Sequence, residues 1–151
     1  MRKEQKAVGN NSQKIQRPGE PVSPDTSASR GVLVYRERLV LGASGRAILA
    51  FRDQDRARLK ALTQGIDISL DEYENKLERT RQLGYATSRE ELIAGAVAIA
   101  APFFDGSDQA AGSLSAFGPS VRLSDERVDQ IGQLLKHECE ELSLALGFRR
   151  Q

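Results

Sequence analysis

Apolar and polar positions recur with different spacings along the chain, and each patterned segment ends at residues that typically stop a helix or a strand. Residues 1–30 carry almost no large apolar side chains and are rich in Gln, Asn, Ser, Pro and Gly. Such a composition cannot bury enough surface to offset the entropy lost on ordering. The sequence therefore predicts a disordered polar tail over residues 1–30 and an ordered domain over residues 31–151.

Helical spacing is clearest in two segments of the domain. From Ser69 to Gly84 apolar positions recur every three or four residues, and Glu72 stands at the capping-box distance from Ser69. After Ser124, the predicted cap of a long final helix, the apolar stripe contains Val128, Ile131, Leu135, Cys139, Leu142 and Leu146. Two shorter helices are predicted before these, one over residues 53–64 and one after a small-residue turn at 42–45, with Ser44 as its cap.

Strand patterns frame these helices. Residues 95–104 and 109–117 predict an antiparallel hairpin, because Asp105-Gly-Ser-Asp108 supplies turn residues between two apolar runs. The Gly118-Pro119 pair is expected to end the second strand. Residues 31–41 predict an earlier strand, or a strand with a break. Residues 86–94 are interpreted as a short acidic link.

Charge and composition narrow the possible partners. The chain has 22 basic and 21 acidic residues, a net charge of +1, with the basic excess in residues 1–30. This balance gives no electrostatic reason for the whole chain to bind DNA or a membrane. No apolar run is long enough to span a bilayer, no secretory signal is evident, and the single cysteine rules out an internal disulfide. The expected location is the cytoplasm.

The residues that usually carry catalysis are sparse. Cys139 lies within the apolar stripe of the final helix, so a buried structural thiol is predicted, and His137 lies on a different face. Glu90 and Glu91 are adjacent acids that we expect to face solvent. One cysteine and one histidine cannot make a zinc-type site. The sequence therefore predicts neither an enzyme nor a cofactor or metal site.

Three segments stand out instead because they carry little side-chain bulk. They are the 42–45 turn, residues 95–101 and residues 112–117. Surfaces of this kind either allow very close packing or leave room for a small molecule. Ser44, Ser88, Ser113 and Ser115 would line such a space with neutral hydroxyls, which suits a small organic ligand. From the residues alone both alternatives stay open.

Several ordered motifs resemble the effector-binding domain of IclR-type bacterial transcriptional regulators. They are ASGRAILAF at 43–51, LERTRQLGYA at 77–86, EELIAGAVAIAAPFFD at 90–105 and SLSAFGP at 113–119. The resemblance covers about residues 38–148. It implies an α/β (α+β) fold with a GAF-like antiparallel sheet flanked by helices, here incomplete at its N-terminal side.

The same resemblance implies a function and a site. Domains of this family bind a small organic acid or aromatic effector, oligomerise, and control DNA binding by a separate winged helix-turn-helix. Carried over by motif, the ligand-binding residues are Ala43, Ser44, Gly45, Ser88, Ala98, Ser115 and Phe117. Arg46 stands where the family usually has Lys, and Phe117 stands where it often has Ser, which narrows the expected pocket.

No winged helix-turn-helix pattern precedes the matched region, and residues 1–30 cannot supply one. We therefore expect this chain to correspond to the C-terminal part of such a regulator, acting as a homo-oligomer or together with a regulator. The alternative is a ligand-independent interaction protein that pairs with an intact regulator. In both cases DNA is contacted only through a winged helix-turn-helix outside this chain.

Overall fold

The computed structural model describes residues 38–149. Its helices are α1 Gly42–Ala50, α2 Arg56–Thr63, α3 Leu70–Leu83 and α4 Asp125–Ala145. Its strands are β1 Ala86–Arg89, β2 Ala96–Phe104 and β3 Ala110–Pro119, and a 3₁₀ turn spans Ser120–Arg122. The expected α+β class, an antiparallel sheet flanked by helices, is confirmed. No helix in this described part is long and apolar enough to cross a membrane.

Two sequence predictions fall partly or wholly beyond the described residues. The polar tail over 1–30 and most of the first predicted strand, residues 31–37, lie outside them. The remaining residues of that strand, 39–41, form a turn instead, closed by a hydrogen bond of 2.9 Å from the Leu41 N–H to the Arg38 carbonyl. This turn leads directly into α1 and buries Val40 in the helical core.

The sheet is antiparallel, with its strands in sequence order β1-β2-β3. The predicted hairpin is confirmed, and Asp105 fixes its turn. The Asp105 carboxylate accepts hydrogen bonds from the Ser107 hydroxyl and N–H at 2.6 and 2.9 Å, and from the Gln109 N–H at 3.3 Å. These bonds favour the charged form and lower the pKa of Asp105.

Two strand boundaries differ from the sequence prediction. β3 continues through the Gly118-Pro119 pair, because on an edge strand the missing proline N–H removes no ladder bond. For β1, the sequence predicts only a link. Its four residues, Ala-Thr-Ser-Arg, show no apolar alternation, and pairing with β2 is what makes them a strand.

Helix α4 covers one face of the sheet. The core between them is made of buried residues from both, namely Tyr85, Val97, Ile99, Ala101, Val128, Leu135 and Cys139. Gly132 allows this approach, because a Cβ at that position would lie 2.5 Å from the Tyr85 ring. The prediction of a buried Cys139 is confirmed.

The last turns of α4 depart from the predicted stripe. Leu142 and Leu146 are exposed, and Ser143 is buried in their place. The Ser143 hydroxyl donates to the Cys139 carbonyl at 2.6 Å and accepts from the Phe104 N–H at 2.9 Å. At this point α4 therefore offers the end of β2 a hydrogen-bond acceptor in place of an apolar contact.

Helices α1, α2 and α3 share a second core, formed by Val40, Leu49, Ala50, Leu59, Tyr73 and Leu77. The predicted helix ends around it are largely confirmed. The Ser69 hydroxyl accepts from the Glu72 N–H at 3.2 Å, and Gly84 ends α3 with a left-handed φ of 82°. Ser124 caps α4 in the same way, accepting from the Arg127 N–H.

Helix α1 packs on the other face of the sheet mainly through methyl groups. Ala43 and Ala47 of the helix meet Ala86 of β1 and Ala100 of β2, and all four are buried. With no larger side chain between them, the helix backbone lies close to the strands. In this region the small residues therefore serve close packing.

Gly45 marks the tightest backbone approach of α1. A Cβ at Gly45 would lie 1.9 Å from the carbonyl oxygen of Leu39, which is backbone and cannot rotate away. We predict that Gly45→Ala destabilises the domain by at least about 2 kcal/mol, measured by urea unfolding.

Gly95→Ala is the matched control for this clash. Gly95 has a φ of +72° but no neighbouring atom within 4 Å of an added Cβ, so only backbone strain of about 1 kcal/mol is expected. Equal destabilisation by the two substitutions would show that the contact with Leu39 does not limit the packing of α1.

Candidate functional site

Four of the predicted ligand-binding residues lie together on the sheet face that carries α1, which we call the α1 face. Ala98 of β2 pairs directly with Ser88 of β1 on one side and with Phe117 of β3 on the other. Ser115 pairs with Ala100, which contacts α1. Directly paired residues present their side chains on the same face. The sequence prediction therefore selected neighbouring positions.

The other three predicted residues, Ala43, Ser44 and Gly45, form the first turn of α1 above this face. Ser44 is not the helix cap that the sequence predicted, because the turn before α1 delivers the chain to Gly42, where the helix begins. The Ser44 carbonyl accepts a hydrogen bond of 3.2 Å from the Ser113 hydroxyl. This bond joins the first turn of α1 to strand β3.

Exposure divides these residues into two groups. Ala43, Gly45 and Ser88 are buried, and Ala98 is half-buried. Ser44 and Ser115 are exposed, and the Phe117 ring is 78% exposed. Within the described residues the ring therefore borders an open surface and does not narrow an enclosed cavity.

The loop between β1 and β2 borders the same surface. Leu92 packs against the start of α1, since its Cδ1 would lie 2.6 Å from a Cβ added at Gly42. Leu92 and its neighbour Ile93 are nevertheless about half exposed. The loop begins at Glu90, a non-glycine residue with a φ of 56°.

Arg46 is a candidate functional residue whose burial and pairing the sequence did not predict. It follows Gly45 on α1 and is only 5% exposed. Its Nη1 donates to the Thr87 carbonyl at 2.6 Å, and its Nη2 forms an ion pair with Glu91. Glu91 is an exposed residue, as expected, but its carboxylate forms this ion pair. The sequence feature that could have predicted this burial is a lone arginine inside an otherwise small and apolar helix.

Two polar atoms beside this pair, Arg46 Nε and the Tyr73 hydroxyl, are buried without a well-formed hydrogen bond to the described residues, although the Arg46 side chain lies close enough to interact with the Tyr73 hydroxyl. Burial raises the pKa of Tyr73 to about 12, although the nearby Arg46 charge opposes the rise. Tyr73 is therefore a neutral phenol at physiological pH. The interior beneath α1 thus holds a cation whose polar surroundings are incompletely satisfied.

The only thiol is structural. The Cys139 Sγ donates to the Ala101 carbonyl at 3.2 Å, and burial raises its pKa. A protonated buried thiol is a poor nucleophile. His137 lies exposed on another face of α4, as its spacing indicates.

Two clefts lie away from the α1 face. One of about 470 Å³ lies between the ends of α1, α3 and α4, where the Phe104 ring contacts Phe51 and Phe148. The other, of about 270 Å³, lies between α3 and β1 and includes Arg46. None of the predicted ligand-binding residues lines either cleft.

Comparison with known proteins gives the class of the fold. The family model described as "Bacterial transcriptional regulator IclR C-terminal" matches residues 26–144. The chain therefore belongs to the IclR family of bacterial transcriptional regulators and corresponds to its C-terminal domain.

Individual relatives agree with this assignment. The HTH-type transcriptional repressor AllR of Escherichia coli K12 is 34% identical over 73 residues, which cover 48% of this chain and 27% of AllR. The aligned region thus spans about a quarter of the length of this curated relative.

Solved structures show the same fold. The C-terminal domain of the E. coli transcriptional regulator KdgR aligns with a TM-score of 0.63 and 28% identity, over 73% of this chain and 71% of that domain. The Agobacterium tumefaciens repressor BlcR aligns with a TM-score of 0.68 and 24% identity, over 74% of this chain and 48% of BlcR. The latter identity supports the fold alone.

The buried Arg46 gives a direct prediction about stability. Arg46→Ala leaves the Thr87 carbonyl without its partner and the Glu91 carboxylate with only the more distant Lys76 ammonium, so we expect the free energy of unfolding to fall by about 2–4 kcal/mol. Urea denaturation of the purified chain measures it.

Arg56→Ala serves as the control. Arg56 also forms two ion pairs, with Asp71 and Glu74, but its side chain is 60% exposed. Solvent screens such pairs, so little change in stability is expected. If the two variants lost equal stability, burial would not be what makes the Arg46 pair important.

Proposed function

We propose that this chain is a small-molecule effector-binding and oligomerisation module of an IclR-family regulator. The observation that carries the proposal is the convergence on one surface of residues chosen from separate motifs. Ser88, Ala98 and Phe117 share one row of the sheet, and the first turn of α1 lies on the same face, against Ala100 and beside Ser113. Membership of the family supports the same reading.

The chemistry of this surface suits a small organic acid or an aromatic acid. The first turn of a helix has backbone N–H groups without intrahelical acceptors, and these favour a carboxylate. Ser44 and Ser115 add exposed hydroxyls, and the Phe117 ring adds an apolar contact. A few polar groups beside an apolar wall are typical of sites for small ligands.

In this proposal occupancy of the α1 face alters how a separate winged helix-turn-helix binds its operator. The aligned part of AllR is 27% of that repressor, whose name identifies it as an HTH-type protein. The chain itself is not expected to bind DNA tightly, because its charges are balanced. A non-enzymatic role agrees with relatives that are transcriptional repressors.

One set of observations favours a second candidate, a ligand-independent interaction protein. Large apolar side chains are exposed near one end of the sheet, namely Leu92 at 47%, Ile93 at 55%, Phe117 at 78% and Val121 at 92%. Exposed apolar groups at this density are typical of protein contact surfaces. Such a surface would pair this chain with a second copy or with an intact regulator.

Ligand binding is tested by a thermal-shift and calorimetric screen of small carboxylic and aromatic acids against the purified chain. We expect at least one acid to bind saturably, and Ser115→Phe to abolish that binding because the ring fills the exposed part of the α1 face. Ala111→Phe is the control, since Ala111 is exposed on the same strand but outside the predicted site. A screen without any binding acid would contradict effector sensing.

The contact surface is tested by the oligomeric state. Phe117→Ser removes the most exposed aromatic ring of the sheet, so we expect a shift to lower mass in size-exclusion chromatography with light scattering. Leu134→Ser, at a leucine 58% exposed on α4, should leave the mass unchanged. Equal masses for wild type and F117S would argue against self-association through this surface. An oligomer that forms without any ligand response would favour the second candidate.

A further inference from the structure

A second polar site lies beside strand β1, away from the predicted effector residues. Among the described residues β1 is an edge strand, and the cleft of about 270 Å³ runs between it and α3. This space is large enough for a phosphate group or a small dicarboxylate.

Four cationic side chains line the cleft, although the chain as a whole is nearly neutral. They belong to Arg46, Lys76, Arg79 and Arg89, and Glu91 is the one acidic residue of the lining. Like charges gathered around one space repel one another, so a cation among them that lacks a carboxylate partner favours an anion nearby.

The cations differ in how far protein groups already neutralise them. Arg89 forms an ion pair with Asp125, and Lys76 Nζ lies 3.8 Å from carboxylate oxygens of both Glu72 and Glu91. Arg79 makes no ion pair with any residue of the described part of the chain. Its guanidinium is thus available for a two-pronged contact with an oxyanion.

Arg46 supplies the deepest positive charge of the site. Its side chain is 6% exposed, and its Nε is buried without a well-formed hydrogen bond to the described residues. The Glu91 carboxylate, which belongs to the loop between β1 and β2, is the anion that Arg46 holds in this structure. An external oxyanion would therefore compete with Glu91 for part of the same positive field.

We propose that this cleft binds a small, doubly charged oxyanion, either a phosphate or a dicarboxylate, with Arg79 and Lys76 as its main contacts. Arg46 acts from behind them as a buried charge, and Glu91 acts as an internal competitor. The site is distinct from the proposed effector surface, because none of the predicted effector residues lines it.

The test is isothermal calorimetry of the full-length chain at low salt, with inorganic phosphate in one series and malonate in the other. We expect saturable binding of at least one of them, and the tighter one identifies the preferred group. Arg79→Gln should weaken it about tenfold, as expected for the loss of a hydrogen bond between charged groups. Arg58→Gln removes an equal charge from an exposed arginine outside the cleft and should change little.

The proposed competition by Glu91 predicts a variant with higher, not lower, affinity for the anion. Glu91→Gln removes the internal carboxylate and should tighten binding, whereas Glu138→Gln, at an exposed residue of α4 outside the cleft, should not. If net charge alone attracted the anion, E91Q and E138Q would bind it with equal affinity, and so would R79Q and R58Q. Should E91Q not fold, the comparison of R79Q with R58Q decides alone.

The outcomes also separate this site from the proposed function. Ser115→Phe should leave phosphate or malonate binding unchanged, and Arg79→Gln should leave binding of an acid on the α1 face unchanged. Absence of saturable binding of both anions, or equal binding by R79Q and R58Q, would overturn the proposal whatever the effector screen shows.

Discussion

The architecture depends on how closely helix α1 approaches the sheet. The apolar core between them is made of methyl groups, from Ala43 and Ala47 on the helix and Ala86 and Ala100 on the strands. Dense packing of this kind tolerates little added volume. The same approach places the first turn of α1 beside strand β3 and carries Arg46 to the edge of β1. Both candidate sites are therefore consequences of one close contact.

Arg46 connects packing with electrostatics. A cation this deeply buried requires partners, and it takes the carbonyl of Thr87 and the carboxylate of Glu91. The first bond satisfies a backbone group of β1, which is an edge strand among the described residues, and an unpaired edge invites unwanted pairing. The second holds the loop that leads to Leu92, which packs on Gly42. One side chain thus joins helix, sheet edge and loop.

The small residues of the sheet serve close packing at one position and border the proposed ligand surface at another position of the same strands. Ala100 is fully buried under α1, and there the small size serves packing. One residue pair further along, Ala98 is only half-buried, between buried Ser88 and exposed Phe117. Beyond the first turn of α1 the sheet is therefore open, and this is where the proposed effector surface lies.

Local patterns in the sequence determined the helix caps at Ser69 and Ser124, the hairpin around Asp105 and the burial of Cys139, because each depends on nearby residues. The family motifs also selected site positions that the fold brings together. Strand β1, the ion pair of Glu91 and the burial of Ser143 in place of Leu142 were decided only by the tertiary structure. Each arises from a partner distant in sequence, namely β2, Arg46 and the end of β2, and no local periodicity records such a partner.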